Sequence, residues 1–396
     1  MSDRLPMDIV LAGARRTPIG RFGGALASLS APELGATAAR SALEAAEVPP
    51  EAVDEVVFGN ARQAGVGPNP ARQVGRRTGL ADRVPARTVN QACASGLRAI
   101  LDAAASIRLG DAEVVLAGGA ESMSNTPFLL PSARWGQRFG DGPLDDGMYR
   151  DGFHCPLADQ LMGETAEMLA DEYGLSRGEC DRYAAASQNR AEAARAVGRF
   201  DGEIAPVSIA TRTGEIEVGR DEHPRDGVTP DSLAKLKPVF RKDGVVHAGN
   251  SSGITDGGAA VVVLSRARAE ELGVRPMARL VAYTTAGVDP RVMGIGPVPA
   301  MRGLLERSGL TLDDVALVEL NEAFAPQVLA CVRDLDLDPE RLNVNGGAIA
   351  LGHPIGATGA RIVVTLLHEM ERRDVRYGIA TLCVSGGMGV AALFER

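Results

Sequence analysis

Apolar and polar positions along the chain follow two similar series, each of which predicts strands and helices in the same order. Residues 42–58 have the pattern of a helix, a turn and a strand, and residues 304–320 repeat that layout. The strand predicted at 8–12 has its counterpart at 277–283. Matching order over several elements predicts a duplicated α/β fold whose two halves pack face to face.

Each series closes on an apolar strand that ends in glycines, at 113–119 and at 377–387. Strands that alternate with helices favour mostly parallel sheets. In such sheets, ligands bind near the carboxyl ends of strands and the N-termini of helices. We therefore expect functional residues at the strand-to-helix turns of the two halves.

The segment between the two series, residues 122–251, has a different character. It is rich in glycine, aspartate and arginine, and it contains the only tryptophan, Trp135. Helices are predicted at 163–173 and 176–197, and the second opens on a capping-box pattern. The segment is too long for a simple connection. It is predicted to be an inserted domain of loops and helices that covers a ligand or contacts another subunit.

The chain re-enters the first half after this insertion. A strand predicted at 259–264 returns it to the first sheet. The predicted division is therefore an N-terminal half formed by 1–121 and 252–274, an inserted domain at 122–251, and a C-terminal half at 275–396.

Composition and charge exclude several classes of protein. The chain has 396 residues, of which 45% are apolar and 23% charged, as is usual for globular proteins. Its 42 Lys and Arg against 51 Asp and Glu leave a net charge of −9, which argues against a nucleic-acid or anionic-membrane surface. No apolar run has membrane-spanning length, and residues 1–8 show neither a signal-peptide core nor a transit pattern. We expect a soluble cytoplasmic protein.

The five cysteines are odd in number and form no CxxC or CxxH pair. This usage fits reduced thiols better than disulfides or a zinc site, so no metal is expected. Cys93 is distinctive because it follows a predicted strand at 87–89 and precedes a predicted helix at 97–105. A thiol at a helix start lies near the positive end of the helix dipole, which favours the nucleophilic thiolate. The alternative is a buried, inert cysteine.

Three further polar motifs lie at turns of the second half. Asn321 follows an apolar strand, His353 lies in the glycine-rich loop 345–359, and Cys383 ends what is predicted to be the last buried strand. Taken singly, they are better explained as a helix cap, a satisfied core histidine and a packed thiol. The duplication, however, places all three opposite the Cys93 turn. A nucleophilic thiol, a base, a second thiol and an amide are the groups that acyl transfer requires.

These motifs make the sequence similar to the thiolase family over essentially its whole length. Cys93 in Cys-Ala-Ser-Gly matches the acylated cysteine of that family, and Asn321 in Asn-Glu-Ala-Phe matches its water-holding asparagine. His353 in Gly-His-Pro matches the catalytic histidine, and Cys383 matches the cysteine acid/base. The resemblance implies two βαβαβαββ halves packed in five layers (α/β/α/β/α), with an inserted loop domain.

The resemblance also implies a role for each of these groups. His353 would accept the proton of Cys93, whose thiolate would attack a thioester or 3-ketoacyl carbonyl. Backbone N–H groups of Cys93 and Ser385 would hold the oxyanion, and a water on Asn321, with His353, would hold the enolate or keto oxygen. Cys383 would exchange the α-proton of acetyl-CoA. No metal is implied, and no cofactor beyond CoA and acyl-CoA as substrates.

The positions that match the family's substrate pocket are Ser252, Met162, Leu161, Met293 and Phe324. Two positions depart from the family's pattern. Ser385 stands where glycine is common, although its N–H is retained. Leu161 stands where members dedicated to acetoacetyl-CoA carry a histidine. An apolar residue there is expected to admit longer acyl chains.

The sequence therefore predicts reversible Claisen chemistry through an acyl-cysteine, by which two acetyl-CoA give acetoacetyl-CoA and CoA. The alternative is a degradative 3-ketoacyl-CoA thiolase of β-oxidation with broader chain length. A ketoacyl synthase would pair its cysteine with two histidines, and a nicotinamide dehydrogenase would need a GxGxxG turn that residues 12–18 lack. A protein that only binds acyl-CoA or scaffolds a complex would need none of the catalytic residues. The resemblance also implies a homotetramer or homodimer.

Overall fold

The computed structural model describes residues 8–212 and 214–396. Residues 1–7, and with them most of the segment predicted to lack a signal or transit peptide, lie outside the described part of the chain. Among the described residues, no helix is both long and apolar enough to cross a membrane.

Strands alternate with helices along much of the chain. The strands are β1 (Ile9–Arg16), β2 (Gly20–Arg21), β3 (Glu55–Gly59), β4 (Ala86–Val89), β5 (Val114–Ser122), β6 (Phe128–Leu129), β7 (Asp145–Asp146), β8 (His154–Cys155), β9 (Gln160–Leu161), β10 (Val207–Thr211), β11 (Gly214–Val218), β12 (Thr255–Ser265), β13 (Ala278–Gly287), β14 (Leu317–Leu320), β15 (Tyr377–Val384) and β16 (Met388–Glu395). The helices are α1 (Ala31–Ala46), α2 (Pro70–Thr78), α3 (Ser95–Leu109), α4 (Met162–Glu172), α5 (Arg177–Ala196), α6 (Pro230–Ala234), α7 (Arg266–Leu272), α8 (Pro297–Ser308), α9 (Ala325–Leu335), α10 (Ala348–Leu351) and α11 (Ile355–Arg373).

The duplication is visible in the order in which the strands pair. The first half has the order β4-β3-β5-β12-β1, and the second has β14-β15-β16-β13. Val318 of β14 also makes a parallel bridge to Leu342, which corresponds to the pairing of β3 with β4. A short antiparallel contact between β1 and β13, with Val10 opposite Arg279, joins the two halves. The predicted duplicated α/β fold is confirmed.

The expectation of mostly parallel sheets is wrong. β3 is parallel to β4 and β5, and β14 is parallel to β15, but β12 and β16 are antiparallel to both of their neighbours. β16 follows β15 after the short turn 385–387, and strands joined so closely pair as an antiparallel hairpin. Cys383 therefore ends the last strand but one, and not the last strand as predicted.

Five layers result from burial of both faces of each sheet. Val261 of β12 packs with α3 and α11, whereas its neighbour Val262 packs with α1 and α2 on the opposite face. In the second sheet, Leu382 faces α3 and α11, and Leu393 packs with α8 and α9. The resulting order is α1 and α2, the first sheet, α3 and α11, the second sheet, then α8 and α9. This is the predicted five-layer arrangement.

Helices α3 and α11 cross closely in the central layer because glycines lie at the crossing. A Cβ on Gly96 would lie 2.6 Å from the backbone N of Ala360, and a Cβ on Gly359 would lie 2.3 Å from that of Leu97. Any side chain at either glycine would force the helices apart. The crossing lies near the start of both helices, so it brings the turns that precede them together.

The segment predicted as an insertion contains α4, α5, α6 and three short antiparallel strand pairs. Both predicted helices are present, as α4 and α5. The predicted capping box at the start of α5 is formed: the Ser176 N–H donates to Glu179 Oε2 at 2.8 Å, and the Glu179 N–H donates to Ser176 Oγ at 3.3 Å. Helix α4 packs on α9, and α5 packs on α9 and α10. These two helices thus lie against the second half, whereas β10 packs on the first half beside Leu26 and Leu34. The exact division into domains stays a prediction.

Candidate active site

A pocket lies where the turns before α3 and α11 meet, and most of the predicted site residues line it. Among its lining residues are Cys93, His353, Ser385, Ser252, Met162, Met293 and Phe324. A more open groove adjoins this inner pocket; the two share the lining residues Phe153, Met162, Ser252 and Phe324. Leu161 lines the groove and not the inner pocket. Asn321 and Cys383 are fully buried and do not line the inner pocket.

Cys93 lies in the single 3₁₀ turn Ala92–Ala94 that links β4 to α3. Ala92 has a left-handed backbone, with φ of 44°. Asn90 Oδ1 accepts the Ala92 N–H at 3.0 Å, and the Ser95 hydroxyl donates to the Ala92 carbonyl at 2.7 Å. These local bonds hold a sharp turn that leaves the thiol of Cys93 only half-buried.

The acidity of Cys93 differs from the sequence expectation. Burial raises the pKa of its thiol, and this outweighs the lowering effects of the Ser385 N–H, the Arg62 charge and its own backbone N–H. The buried Glu121 raises the pKa further. The backbone N–H of Cys93 at the helix start does lower the pKa, as expected, but removal from water has the larger effect and the net shift is upwards. A base is needed to take the proton.

His353 is positioned and kept neutral by its surroundings. Its Nδ1 lies 2.6 Å from Thr358 Oγ1, and the Thr358 hydroxyl donates to the Pro354 carbonyl at 3.0 Å. Because that hydroxyl proton is already used, Nδ1 carries the imidazole proton and donates it to Thr358. Burial, followed by the charges of Arg361 and Arg62, lowers the pKa of His353 to about 3. Nε2 therefore has a free lone pair at neutral pH.

Two buried polar side chains end without partners near this pocket. Within the described residues, neither His353 Nε2 nor the side-chain atoms Nδ2 and Oδ1 of Asn321 form a hydrogen bond. Asn321 itself is fixed by its backbone N–H, which donates to the Thr381 carbonyl at 3.0 Å. Unpaired buried polar atoms are costly unless a ligand or water satisfies them. These atoms are therefore candidates for hydrogen bonds to a bound water or to an oxygen atom of a ligand.

Cys383, at the end of β15, lies on the far side of the pocket wall. It is fully buried and packs with Met293 and Ala323. Burial raises the pKa of its thiol well above the ordinary value, and nearby Cys93 and Cys331 raise it further. Cys383 is therefore a neutral thiol at physiological pH, and it can accept a proton only after a base has removed its own.

Ser385 is accommodated without backbone strain. The left-handed positions in its turn are Gly386 and Gly387, with φ of 89° and 84°, and Ser385 is not one of them. Its N–H also reaches the Cys93 sulfur as a hydrogen-bond donor. A serine at this place thus keeps the backbone donor that the family's usual glycine would supply.

No group of three or more His, Cys, Asp or Glu side chains in residues 8–212 and 214–396 is arranged to hold a metal ion. The five cysteines are free thiols.

Comparison with models of known protein families shows which family the chain belongs to. The model "Thiolase, N-terminal domain" matches residues 9–267, and "Thiolase, C-terminal domain" matches residues 274–396. The chain belongs to the thiolase family. This confirms the resemblance that the four sequence motifs indicate.

Named relatives of this thiolase match it along nearly its whole length. It is 53% identical to an acetyl-CoA acetyltransferase of Cupriavidus necator over 390 residues, which is 98% of this chain and 99% of the relative. The solved structure of the Bacillus anthracis acetyl-CoA acetyltransferase has a TM-score of 0.96 at 46% identity, covering 98% of each chain. Human mitochondrial 3-ketoacyl-CoA thiolase in complex with CoA has a TM-score of 0.95 at 44% identity, covering 99% of this chain and 98% of that one.

Two buried glutamates that organise this thiolase site are missed by the sequence analysis. The carboxylate of Glu121 accepts N–H groups from Asn60 Nδ2 at 2.7 Å, from the backbone of Ala61 and Arg62, and from the backbone of Gly356 at 2.8 Å. It ties the loop after β3 to the start of α11. The only signal in the sequence is an acidic residue at the end of an otherwise apolar strand.

Glu322 has the corresponding role in the second half. Its carboxylate accepts hydrogen bonds from Tyr183 at 2.8 Å, Ser187 at 2.7 Å, Asn343 at 3.0 Å and the backbone N–H of Ile349 at 3.1 Å. It therefore connects α5 of the predicted insertion to the loop that carries His353. The residue lies within the Asn-Glu-Ala-Phe motif, but only the fold shows what it binds.

Proposed function

We propose that this thiolase catalyses reversible, CoA-dependent Claisen condensation, in which two acetyl-CoA give acetoacetyl-CoA and CoA. The observation that carries the proposal is the pairing, in one pocket, of a half-buried thiol that stays protonated with a neutral imidazole whose Nε2 is free. Acyl transfer to cysteine needs this combination of nucleophile and base. Relatives named acetyl-CoA acetyltransferase, at about half identity over the full chain, support it.

In the first half-reaction, His353 Nε2 takes the proton of Cys93, and the sulfur attacks the thioester carbonyl of acetyl-CoA. The N–H groups of Cys93 and Ser385 receive the oxyanion, and each preorganised donor of this kind is worth about 3 kcal/mol. CoA leaves as a thiol with the proton from His353. Acetyl-Cys93 remains.

In the second half-reaction, Cys383 first gives its own proton to His353, and the resulting thiolate takes an α-proton from a second acetyl-CoA. The enolate carbon attacks acetyl-Cys93, the bond between the Cys93 sulfur and the acetyl carbon breaks, and that sulfur takes the proton from His353. The enolate oxygen is held by His353 and by a water on Asn321, which gives a use to the unpaired polar atoms of both residues. Because burial keeps Cys383 protonated at rest, its thiolate is costly to form, but once formed it is a strong base towards the α-carbon. Read in reverse, the same groups carry out thiolysis.

Degradative thiolysis of longer 3-ketoacyl-CoA is the second candidate. The similarity to human mitochondrial 3-ketoacyl-CoA thiolase supports it, and so does Leu161, whose apolar side chain faces the groove. Ser252, Met162, Met293 and Phe324 would form the walls around the acyl group and the pantetheine.

We also propose a homotetramer or homodimer, acting in the cytoplasm on CoA and acyl-CoA with no further cofactor. Apolar side chains exposed in the segment 128–144 support subunit contacts there; they are Phe128, Leu130, Trp135, Phe139 and Leu144. A domain division at 1–121 with 252–274, 122–251 and 275–396 goes with this assignment.

Thiolysis assays with acetoacetyl-CoA and with longer unbranched 3-ketoacyl-CoA test the activity and its chain-length preference. Wild-type protein should cleave acetoacetyl-CoA, and Leu161→His should shift the preference further towards it. Mass spectrometry after incubation with acetyl-CoA should place the acetyl group on Cys93. Lack of activity on every substrate, or an acetyl group on another residue, would refute the proposal.

A further inference from the structure

Arg62 is a buried cation in the wall of the inner pocket that the reaction described above does not use. It follows β3, and it is only 5% exposed. Its Nη1 donates to the Asp151 carbonyl at 3.0 Å, and its guanidinium carbon lies 5.7 Å from the centre of the Phe153 ring. A Cβ on residue 152 would lie 1.6 Å from Nη2, so only Gly152 leaves room for the guanidinium.

The other two guanidinium nitrogens of Arg62 have no hydrogen-bond partner in the described part of the chain. Nε and Nη2 are buried and form no hydrogen bond within residues 8–212 and 214–396. These two nitrogens form the side edge of the guanidinium, which binds a carboxylate through two parallel N–H···O bonds. An arginine that lines a pocket with this edge unpaired is suited to an anionic group of a ligand.

No carboxylate among residues 8–212 and 214–396 binds the side edge of Arg62. The nearby buried carboxylate, Glu121, is occupied by N–H groups of Asn60, Ala61, Arg62 and Gly356 and makes no ion pair with the guanidinium. The side chain of Asp151 is exposed to solvent, and only its backbone carbonyl binds Arg62. The charge of Glu121 does interact with that of Arg62. Because neither Nε nor Nη2 has an acceptor, a ligand carboxylate would complete the hydrogen bonds of this site.

Arg62 is also close to the reaction centre. Its positive charge lowers the pKa of both Cys93 and His353. Arg62, Cys93 and His353 also line the same inner pocket, so an anion held by Arg62 would share that pocket with the carbonyl carbon that Cys93 attacks. A carboxylate at the far end of a short acyl chain on Cys93 would therefore lie within the pocket that Arg62 lines.

We propose that the side edge of Arg62 binds the terminal carboxylate of an acyl group carried on Cys93. The substrates this selects are 3-ketoacyl-CoA thioesters whose short acyl chain ends in a carboxylate. The proposal rests on the proposed thiolase activity and deepens it by naming the class of acyl group.

The reaction on such a substrate is ordinary thiolysis. Cys93 attacks the 3-keto carbon, the bond between C2 and C3 breaks, and the thiol proton ends on C2, which leaves as acetyl-CoA. A carboxyacyl thioester on Cys93 remains, with its carboxylate on Arg62. The sulfur of free CoA then attacks that thioester and releases the carboxyacyl-CoA, and the thiol proton of CoA returns to Cys93. No oxidant or reductant takes part.

The test compares two substrates of equal chain length, 3-ketoadipyl-CoA and 3-ketohexanoyl-CoA. Wild-type protein should have the higher kcat/KM with the carboxylated one. Arg62→Met keeps the length of the side chain but removes the charge and the fork, and it should reduce the ratio of the two kcat/KM values by at least about tenfold, as expected for a charge-assisted, two-bond contact. Arg62→Lys, which keeps the charge but not the fork, should give an intermediate ratio.

Arg302→Met serves as the matched control, because Arg302 is exposed on the outer helix α8. It should leave the ratio unchanged. A second measurement does not depend on turnover: intact-mass analysis after incubation with succinyl-CoA or butyryl-CoA should show faster acylation of wild-type Cys93 by succinyl-CoA, and loss of that preference in Arg62→Met.

The outcomes separate the two proposals. A wild-type enzyme that cleaves acetoacetyl-CoA but prefers 3-ketohexanoyl-CoA, or a ratio that Arg62→Met does not change, overturns the role of Arg62 and leaves the thiolase activity standing. Should Arg62→Met not fold, the wild-type ratio and the succinyl-CoA against butyryl-CoA comparison still decide. Lack of activity on acetoacetyl-CoA as well would refute the proposed function itself.

Discussion

The turn that carries Cys93 and the loop that carries His353 occupy equivalent places in the two halves, but they are held in different ways. The Cys93 turn is fixed by local bonds from Asn90 and Ser95, and its thiol is half-buried. The His353 loop is fixed by distant residues, with Glu121 bound to Gly356 at the start of α11, and its imidazole is buried. A nucleophile must be reachable by a bulky acyl group, whereas a base must stay dry enough to remain neutral. One duplicated scaffold meets both needs by fixing its two halves differently.

We expect Cys93 and His353 to act as one catalytic unit. Substituting both residues tests this, and it has the largest expected effect on kcat/KM. Cys93→Ser and His353→Asn should each lower kcat/KM for acetoacetyl-CoA thiolysis by at least about 10³-fold, since nucleophile and base are both required. The double variant should be no slower than the slower single variant. Losses that multiply would show that the two residues act independently. Thermal unfolding of each variant checks that the fold is kept.

Thr358 gives a smaller and more specific test, because it acts on the base and not on the nucleophile. Thr358→Val removes the acceptor of His353 Nδ1, so the imidazole is free to take the wrong tautomer. We expect kcat to fall by about 10- to 100-fold, a range typical of groups that orient a functional histidine. Acetylation of Cys93 should slow in parallel.

Thr358→Ser is the matched control, since it keeps the hydroxyl. It should restore most of the activity. If the valine and serine variants were equally slow, the role of Thr358 would be packing within α11 and not control of the imidazole proton.

A glycine substitution where α3 and α11 cross tests the contact between the two halves independently of their chemistry. Gly359→Ala should lower the free energy of unfolding by about 1–3 kcal/mol, because the added Cβ would lie 2.3 Å from the backbone N of Leu97. Gly303→Ala is the comparison on the outer helix α8, where the nearest atom to an added Cβ, on Thr284, is 3.7 Å away. There the better helix propensity of alanine should stabilise the protein by about 0.5–1 kcal/mol. Urea unfolding measures both, and equal effects would mean that the crossing relaxes without cost.

The features that the sequence predicts well are those with local causes. The capping box at Ser176 depends on residues three apart, and the strands β5 and β12 follow from apolar runs. The duplication could be predicted because both halves keep the same order of elements. The meeting of Cys93 with His353 follows from that symmetry.

What could not be predicted depends on long-range burial. Glu121 collects donors from the loop after β3 and from α11, which are far apart in the sequence. The raised pKa of Cys93 results from desolvation by the assembled pocket, which a helix-start pattern does not report. The antiparallel direction of β12 depends on where the long insertion returns the chain to the sheet. The unpaired edge of Arg62 can be recognised only once the fold has placed Phe153 and Asp151 beside it.

The smallest expected effect is on the pH dependence of stability, and it tests how far burial removes the His353 imidazole from water. Burial and the charges of Arg361 and Arg62 lower the pKa of His353 to about 3, against about 6.5 for an unperturbed histidine. Between these values the unfolded chain binds a proton that the folded protein does not, so this group makes the protein less stable as the pH falls from about 6.5 towards 3. In His353→Gln that contribution is absent. The free energy of unfolding should therefore fall less steeply between pH 7 and pH 5 than in the wild type. The two slopes should differ by at most about 1.4 kcal/mol per pH unit. Urea unfolding at several pH values measures the slope. An identical slope in both proteins would mean that the imidazole has the same pKa in the folded protein as in the unfolded chain, and that burial does not lower it.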